Sequence, residues 1–118
     1  MKKILIVDDE IGIIEILVTI LEELNFETIT ADNGKNGLEL FEKSKASIAA
    51  VFTDQNMPYM SGNDMAQQIK KQSCIPIVLL DAYGVKLEPT YFDYLLTKPF
   101  DIDGIKHCLC QIGLIDET

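Results

Sequence analysis

Five charged residues fall where apolar runs stop. Asp8 and Asp9 follow Ile4-Leu5-Ile6-Val7, Asp54 follows the run from Ile48 to Thr53, Asp81 follows Ile75 to Leu80, and Lys98 follows Tyr94 to Thr97. Carboxylates set among carbonyls and water suit a hard cation such as Mg²⁺, which keeps several waters and takes one or two carboxylates directly. A carboxylate beside such an ion can also attack phosphorus and form an aspartyl phosphate, with the metal and a lysine neutralising the phosphoryl oxygens. Each residue has a plainer use as well. Asp8 and Asp9 could cap a helix, Asp54 could be a turn residue before Pro58, Asp81 could cap a short turn, and Lys98 could be an ordinary surface lysine.

The chemistry requires residues far apart in sequence to meet, so the elements between them decide the matter. Ile4 to Val7 is a short unbroken β-branched run, as expected of a strand buried on both faces of a parallel sheet. Ile13, Leu17, Ile20, Leu21 and Leu24 then recur at helical spacing with Glu15, Glu22 and Glu23 between them. Glu27 to Ala31 reads as a second strand, and Asn33-Gly34 as a turn before a helix carrying Leu38, Leu40 and Phe41. The third strand runs from Ile48 to Thr53. Residues 56–62 form a loop by composition, and Met65 and Ile69 mark the helix after it. Ile75 to Leu80 gives a fourth strand, Tyr94 to Thr97 a fifth, and Ile102, Ile105, Leu109 and Ile112 the stripe of a last helix. Strands alternating with helices predict βαβ units and a doubly wound α/β sheet of five parallel strands in three layers. Any ligand is then expected beyond the carboxyl ends of the strands, where all five charged residues lie. The stretch between Asp81 and Tyr94 is barely long enough for a parallel crossover and contains Gly84 and Pro89, so its helix is expected to be shortened or missing.

Composition narrows the function classes. The chain has 118 residues, 19 acidic against 10 basic, for a net charge of −9. That balance argues against nucleic acid or an anionic membrane as the partner surface, and the length fits one domain spanning residues 1–118. The three cysteines, Cys74, Cys108 and Cys110, form no C-x-x-C pair, which suits a reducing cytoplasm rather than a disulfide frame. Cys108 and Cys110 read as core or half-buried thiols and His107 as a surface or partly buried histidine. The apolar run after Met1-Lys-Lys ends at Asp8, too soon for a signal peptide or a membrane span. No G-x-G-x-x-G follows the first strand, which argues against a dinucleotide site.

The runs Lys3-Ile-Leu-Ile-Val-Asp-Asp-Glu10, Asp54-Gln-Asn-Met-Pro-Tyr-Met-Ser-Gly62 and Lys98-Pro99-Phe100 together resemble the receiver domain of two-component response regulators, a flavodoxin-like fold of the chemotaxis type. The resemblance covers the whole chain. It implies Asp54 as phosphoacceptor, Asp9 and Asp54 as Mg²⁺ ligands with Asp8 acting through water, and the main-chain carbonyl of Asn56 as a further ligand. Lys98 would pair with the phosphoryl group, and the Lys98-Pro99 bond would be cis. The sequence departs from the family at two places. Asp81 stands where receivers carry a switch Ser or Thr, with Ala82 matching the small residue that follows. Leu95 stands where they usually carry an aromatic, with Tyr94 one residue earlier and therefore aimed at the opposite face. An ionised Asp81 facing a dianionic phosphoryl group costs on the order of 4 kcal/mol per charge pair near 4 Å at an effective dielectric of about 20. Asp81 could instead pair with Lys98, add a metal ligand, or donate as the protonated acid.

The expected function is phosphoryl acceptance from a histidine kinase or phosphotransfer protein, changing affinity for a downstream protein; this is not an enzyme in the ordinary sense. A second expectation is a pseudo-receiver adaptor whose partner surface works without phosphate because of Asp81. A Mg²⁺-dependent phosphohydrolase is a poorer third, since nothing supplies a general acid or base beside Asp54. Asp8, Asp9, Asp54 and Asp81 against Lys98 would concentrate −3 of the net charge in one crevice.

Overall fold

A computed structural model describes residues 2–81 and 91–116, apart from the side chain of Asp81. Strands β1 (Lys3–Val7), β2 (Glu27–Ala31), β3 (Ile48–Asp54), β4 (Ile77–Asp81) and β5 (Tyr94–Thr97) form one parallel sheet in the order β2-β1-β3-β4-β5. Helices α1 (Ile11–Glu23), α2 (Gly34–Ser44), α3 (Gly62–Lys70) and α4 (Ile102–Gln111) cover its two faces, and these are the α-helices among the described residues. This is the three-layer, doubly wound α/β architecture that the alternation predicts, and it matches the flavodoxin-like fold that the resemblance implies. The expected shortening of the crossover between β4 and β5 falls on residues 82–90 and lies outside the described residues.

Why the inner strands read as unbroken apolar runs is visible in the packing. Ile4 and Ile6, Ala50 and Phe52, Val78 and Leu80 point to one face, where they meet Leu17 and Leu21 of α1 and Ile105, Cys108 and Leu109 of α4. Leu5 and Val7, Val51, Ile77 and Leu79 point to the other, against Phe41 of α2 and Met65, Ala66 and Ile69 of α3. Successive strand side chains face opposite ways, so a strand covered on both sides must be apolar at every position. Each of the larger buried side chains here, the Val, Leu, Ile, Phe and Met, contributes roughly 1.5–3 kcal/mol of burial free energy.

Several boundaries differ from the sequence reading. The fourth strand begins at Ile77 rather than Ile75, because Pro76 has no N–H for the ladder, although its carbonyl still accepts from the Val51 amide at 3.1 Å. Asn33 and Gly34 do not form a separate turn: Asn33 is the N-cap of α2, its side chain accepting from the Asn36 amide at 2.8 Å, and Gly34 is the first helical residue. The third and fourth strands also run one residue further than expected, taking in Asp54 and the backbone of Asp81.

Topology sets the location of the site. The chain leaves β1 toward β2 on one side and returns to β3 on the other, so the carboxyl ends of β1 and β3 form a switch point, the crevice where ligands of doubly wound sheets sit. Val7 is level with Thr53, Asp54 with Leu80, and Asp81 with Thr97. Asp8, Asp54, Asp81 and Lys98 are therefore brought to one edge of the sheet.

Candidate functional site

Asp8 leaves β1 fully buried, while Asp9 is exposed and Asp54 half-buried. One carboxylate oxygen from each lies within 4.8 Å of the others. The pair does not cap α1: the N-cap is Glu10, with no side-chain bond, and Asp8 Oδ1 instead accepts from the Glu10 amide at 2.9 Å. Lys98 is not a surface lysine either. Its side chain is 13% exposed, and Nζ sits 3.4 Å from Asp8 Oδ2 and 4.0 Å from Asp54 Oδ1. A tight charge-assisted bond is about 2.7–2.9 Å, so Lys98 is shared between two carboxylates and committed to neither. The Lys98–Pro99 peptide that follows is cis.

Electrostatics records the cost of this grouping. Burial lifts the Asp8 carboxyl above its ordinary value; the Glu10 amide and Lys98 pull it back, while the Asp54 charge pushes it further. Burial likewise lifts Asp54, opposed by the Gln55 amide and Lys98 and reinforced by the charges of Asp9 and Glu10. A partly buried carboxylate cluster with one lysine is short of positive charge. Its donor set is all oxygen and its members lie within reach of one ion, which fits a hard divalent cation such as Mg²⁺.

The loop after β3 is folded back on the strand end. Gly62, the first residue of α3, lies so close that a Cβ there would collide with the Asp54 carbonyl oxygen and come within 3.1 Å of the Gln55 Cα. That carbonyl accepts from the buried Thr53 hydroxyl at 2.8 Å. Gly34 makes the same kind of approach to the Met60 carbonyl, so α2 props the loop from the other side. Asn56, the expected main-chain ligand, lies exposed in this loop.

Two contributors escaped the sequence reading. Glu10 stands near enough for its charge to act on Asp54, and its place next to the Asp8-Asp9 pair was the available signal. Gln55 holds the start of α3 through both main chain and side chain; a lone glutamine in a loop motif gives no such signal.

A family model described as the response regulator receiver domain matches residues 4–109. The chain belongs to this family. Among curated relatives, the probable transcriptional regulator ycf27 of Porphyra purpurea is 40% identical over 105 residues, covering 84% of this chain and 42% of that protein. The CpxR homolog of Haemophilus influenzae is 36% identical over 106 residues, covering 86% of this chain and 45% of that one. The receiver thus spans less than half the length of these relatives. The response regulator TrrA of Thermotoga maritima, solved in complex with Mg²⁺-BeF, is 34% identical with a TM-score of 0.85, covering 95% of this chain and 99% of that one. The chemotaxis regulator CheY4 of Vibrio cholerae has the same TM-score at 26% identity, with 95% and 98% covered. The family and its relatives place the domain among two-component signalling modules.

The two positions at which the sequence is expected to depart from other receivers lie on β4 and β5. Asp81 is the last residue of β4, level with Thr97, the residue before Lys98; its side chain lies outside the described residues. Tyr94 turns toward α4, its ring 6.4 Å from that of the exposed His107 in an edge-on arrangement, while Leu95 is 44% exposed on the other face. Strand alternation separates the two as the sequence predicts. Cys108 is buried, its thiol pushed up to about 12 by that burial, and Cys110 is half-buried. Among the described residues no helix is long and apolar enough to cross a membrane.

Proposed function

We propose that residues 1–118 are one receiver domain that accepts a phosphoryl group on Asp54 from a histidine kinase or phosphotransfer protein and thereby changes its affinity for a downstream protein. A carboxylate oxygen of Asp54 forms the bond to phosphorus as the donor's P–N bond breaks and the imidazole leaves. Lys98, held between Asp8 and Asp54, shifts from shared pairing toward the incoming phosphoryl oxygens. Asp8, Asp9, Asp54 and the main-chain carbonyl of Asn56 would hold Mg²⁺, which neutralises the phosphoryl oxygens in the transferring group. The observation that carries this reading is the meeting of Asp8, Asp9 and Asp54 within 4.8 Å beside a lysine committed to neither neighbour. The domain's place is the cytoplasm, where the phosphodonor and free thiols are compatible.

A second reading, a pseudo-receiver that binds its partner without phosphate, is favoured by the exposed aliphatic Leu95 in the register of the usual aromatic and by Asp81 in place of a hydroxyl. One experiment separates them. Incubation with Mg²⁺ and acetyl phosphate, read by intact mass, is expected to add one phosphoryl group to the wild type and none to Asp54→Asn. An unmodified wild type alongside a phosphorylated Asp81→Thr would establish the second reading. If neither protein gains the group, phosphoryl acceptance at Asp54 is wrong.

A further inference from the structure

The first amides of an α-helix have no partner inside the helix. In α3, Gly62 N donates to the Gln55 carbonyl at 2.9 Å, Asn63 N to Gln55 Oε1 at 2.6 Å, and Asp64 N to Ser61 Oγ at 3.1 Å. Two of these three donors are held by a single residue, the one directly after Asp54. Gln55 thus ties the entry of the loop to its exit, across Asn56 and Pro58, while the absent Cβ at Gly62 lets the two backbones close on each other.

The residue type fits the place. An apolar side chain at position 55 would leave the Asn63 amide without this acceptor, and glutamate would supply one at the cost of a further negative charge beside Asp8, Asp9 and Asp54. Glutamine supplies a neutral acceptor.

We propose that Gln55 is a positioning residue for the cation site: by holding the first two amides of α3 it fixes the return of the 55–62 loop, and with it the Asn56 backbone beside Asp54. The inference rests on the Mg²⁺ reading above. It is specific to the side chain, since any residue at position 55 keeps the main-chain bond.

Its test compares Gln55→Met, which keeps length and loses the acceptor, with Ser61→Ala, which removes the neighbouring cap of the same helix without touching Gln55. Mg²⁺ affinity is measured by calorimetry and amide protection of residue 63 by hydrogen exchange. Gln55→Met is expected to lose protection at Asn63 and to weaken Mg²⁺ binding roughly three- to tenfold, the size of one hydrogen bond, with Ser61→Ala binding Mg²⁺ like the wild type. Equal weakening in both variants would reduce Gln55 to a general helix cap and overturn the proposal. Unchanged Mg²⁺ affinity in Gln55→Met would also overturn it while leaving the receiver reading intact. A wild type that binds no Mg²⁺ would overturn both.

Discussion

Asp54 is stabilised as an acid rather than as a carboxylate. Burial raises its folded-state value above the ordinary 3.8, so the native state holds this proton more tightly than the unfolded chain does. The stability this confers is fully present below the unfolded value and is lost as pH rises through the folded one. At neutral pH the ionised group faces Asp8, Asp9 and Glu10 with Lys98 as counter-charge, and the folded domain bears the repulsion. Asp54→Asn, measured by thermal or urea unfolding without divalent cations at pH 7, is expected to be more stable than the wild type by about 1 kcal/mol, the size of one like-charge contact in water-like surroundings. The gain should shrink as pH falls toward 4. A less stable Asp54→Asn at pH 7 would mean that Lys98 already neutralises the cluster.

At the scale of elements, the site depends on how closely loops approach strands. Gly62 begins α3 directly over the Asp54 carbonyl, and a methyl group there has nowhere to go except against backbone. Gly62→Ala is expected to cost about 1–3 kcal/mol, as overpacking does, and to weaken Mg²⁺ binding because the loop must move off β3. Gly12 is the contrast. It lies in the first turn of α1 with nothing within 4 Å of an added Cβ, so Gly12→Ala should stabilise the fold by about 0.5 kcal/mol through helix propensity alone. Denaturant melts of the two variants check both signs.

For the whole molecule, a net charge of −9 is carried partly where it costs stability, and a bound cation would return that cost. A ligand that binds only the folded state stabilises it by about 2.7 kcal/mol at a hundredfold excess over its Kd. Saturating Mg²⁺ is therefore expected to raise the wild-type melting temperature by several degrees and to leave Asp54→Asn almost unmoved, with NaCl at matched ionic strength as the control for screening. An equal rise with NaCl would reduce the effect of the ion to charge screening.

The strand and helix order was legible in the sequence because each inner strand is covered on both faces and each helix on one, and these demands leave unbroken runs and three-to-four spacing respectively. The candidate carboxylates and lysine were legible because a charge that ends an apolar strand marks the sheet's edge. Boundaries were less so: Pro76 delayed β4, and Asn33 became a cap, since both depend on hydrogen-bond partners as well as on composition. The sequence by itself determined the fold class, the five charged positions and their common edge. Only the tertiary structure decided that Lys98 lies between Asp8 and Asp54, that Glu10 acts on Asp54, and that Gln55 holds the start of α3. Those are distances between groups on different elements, and a one-dimensional pattern carries no measure of them.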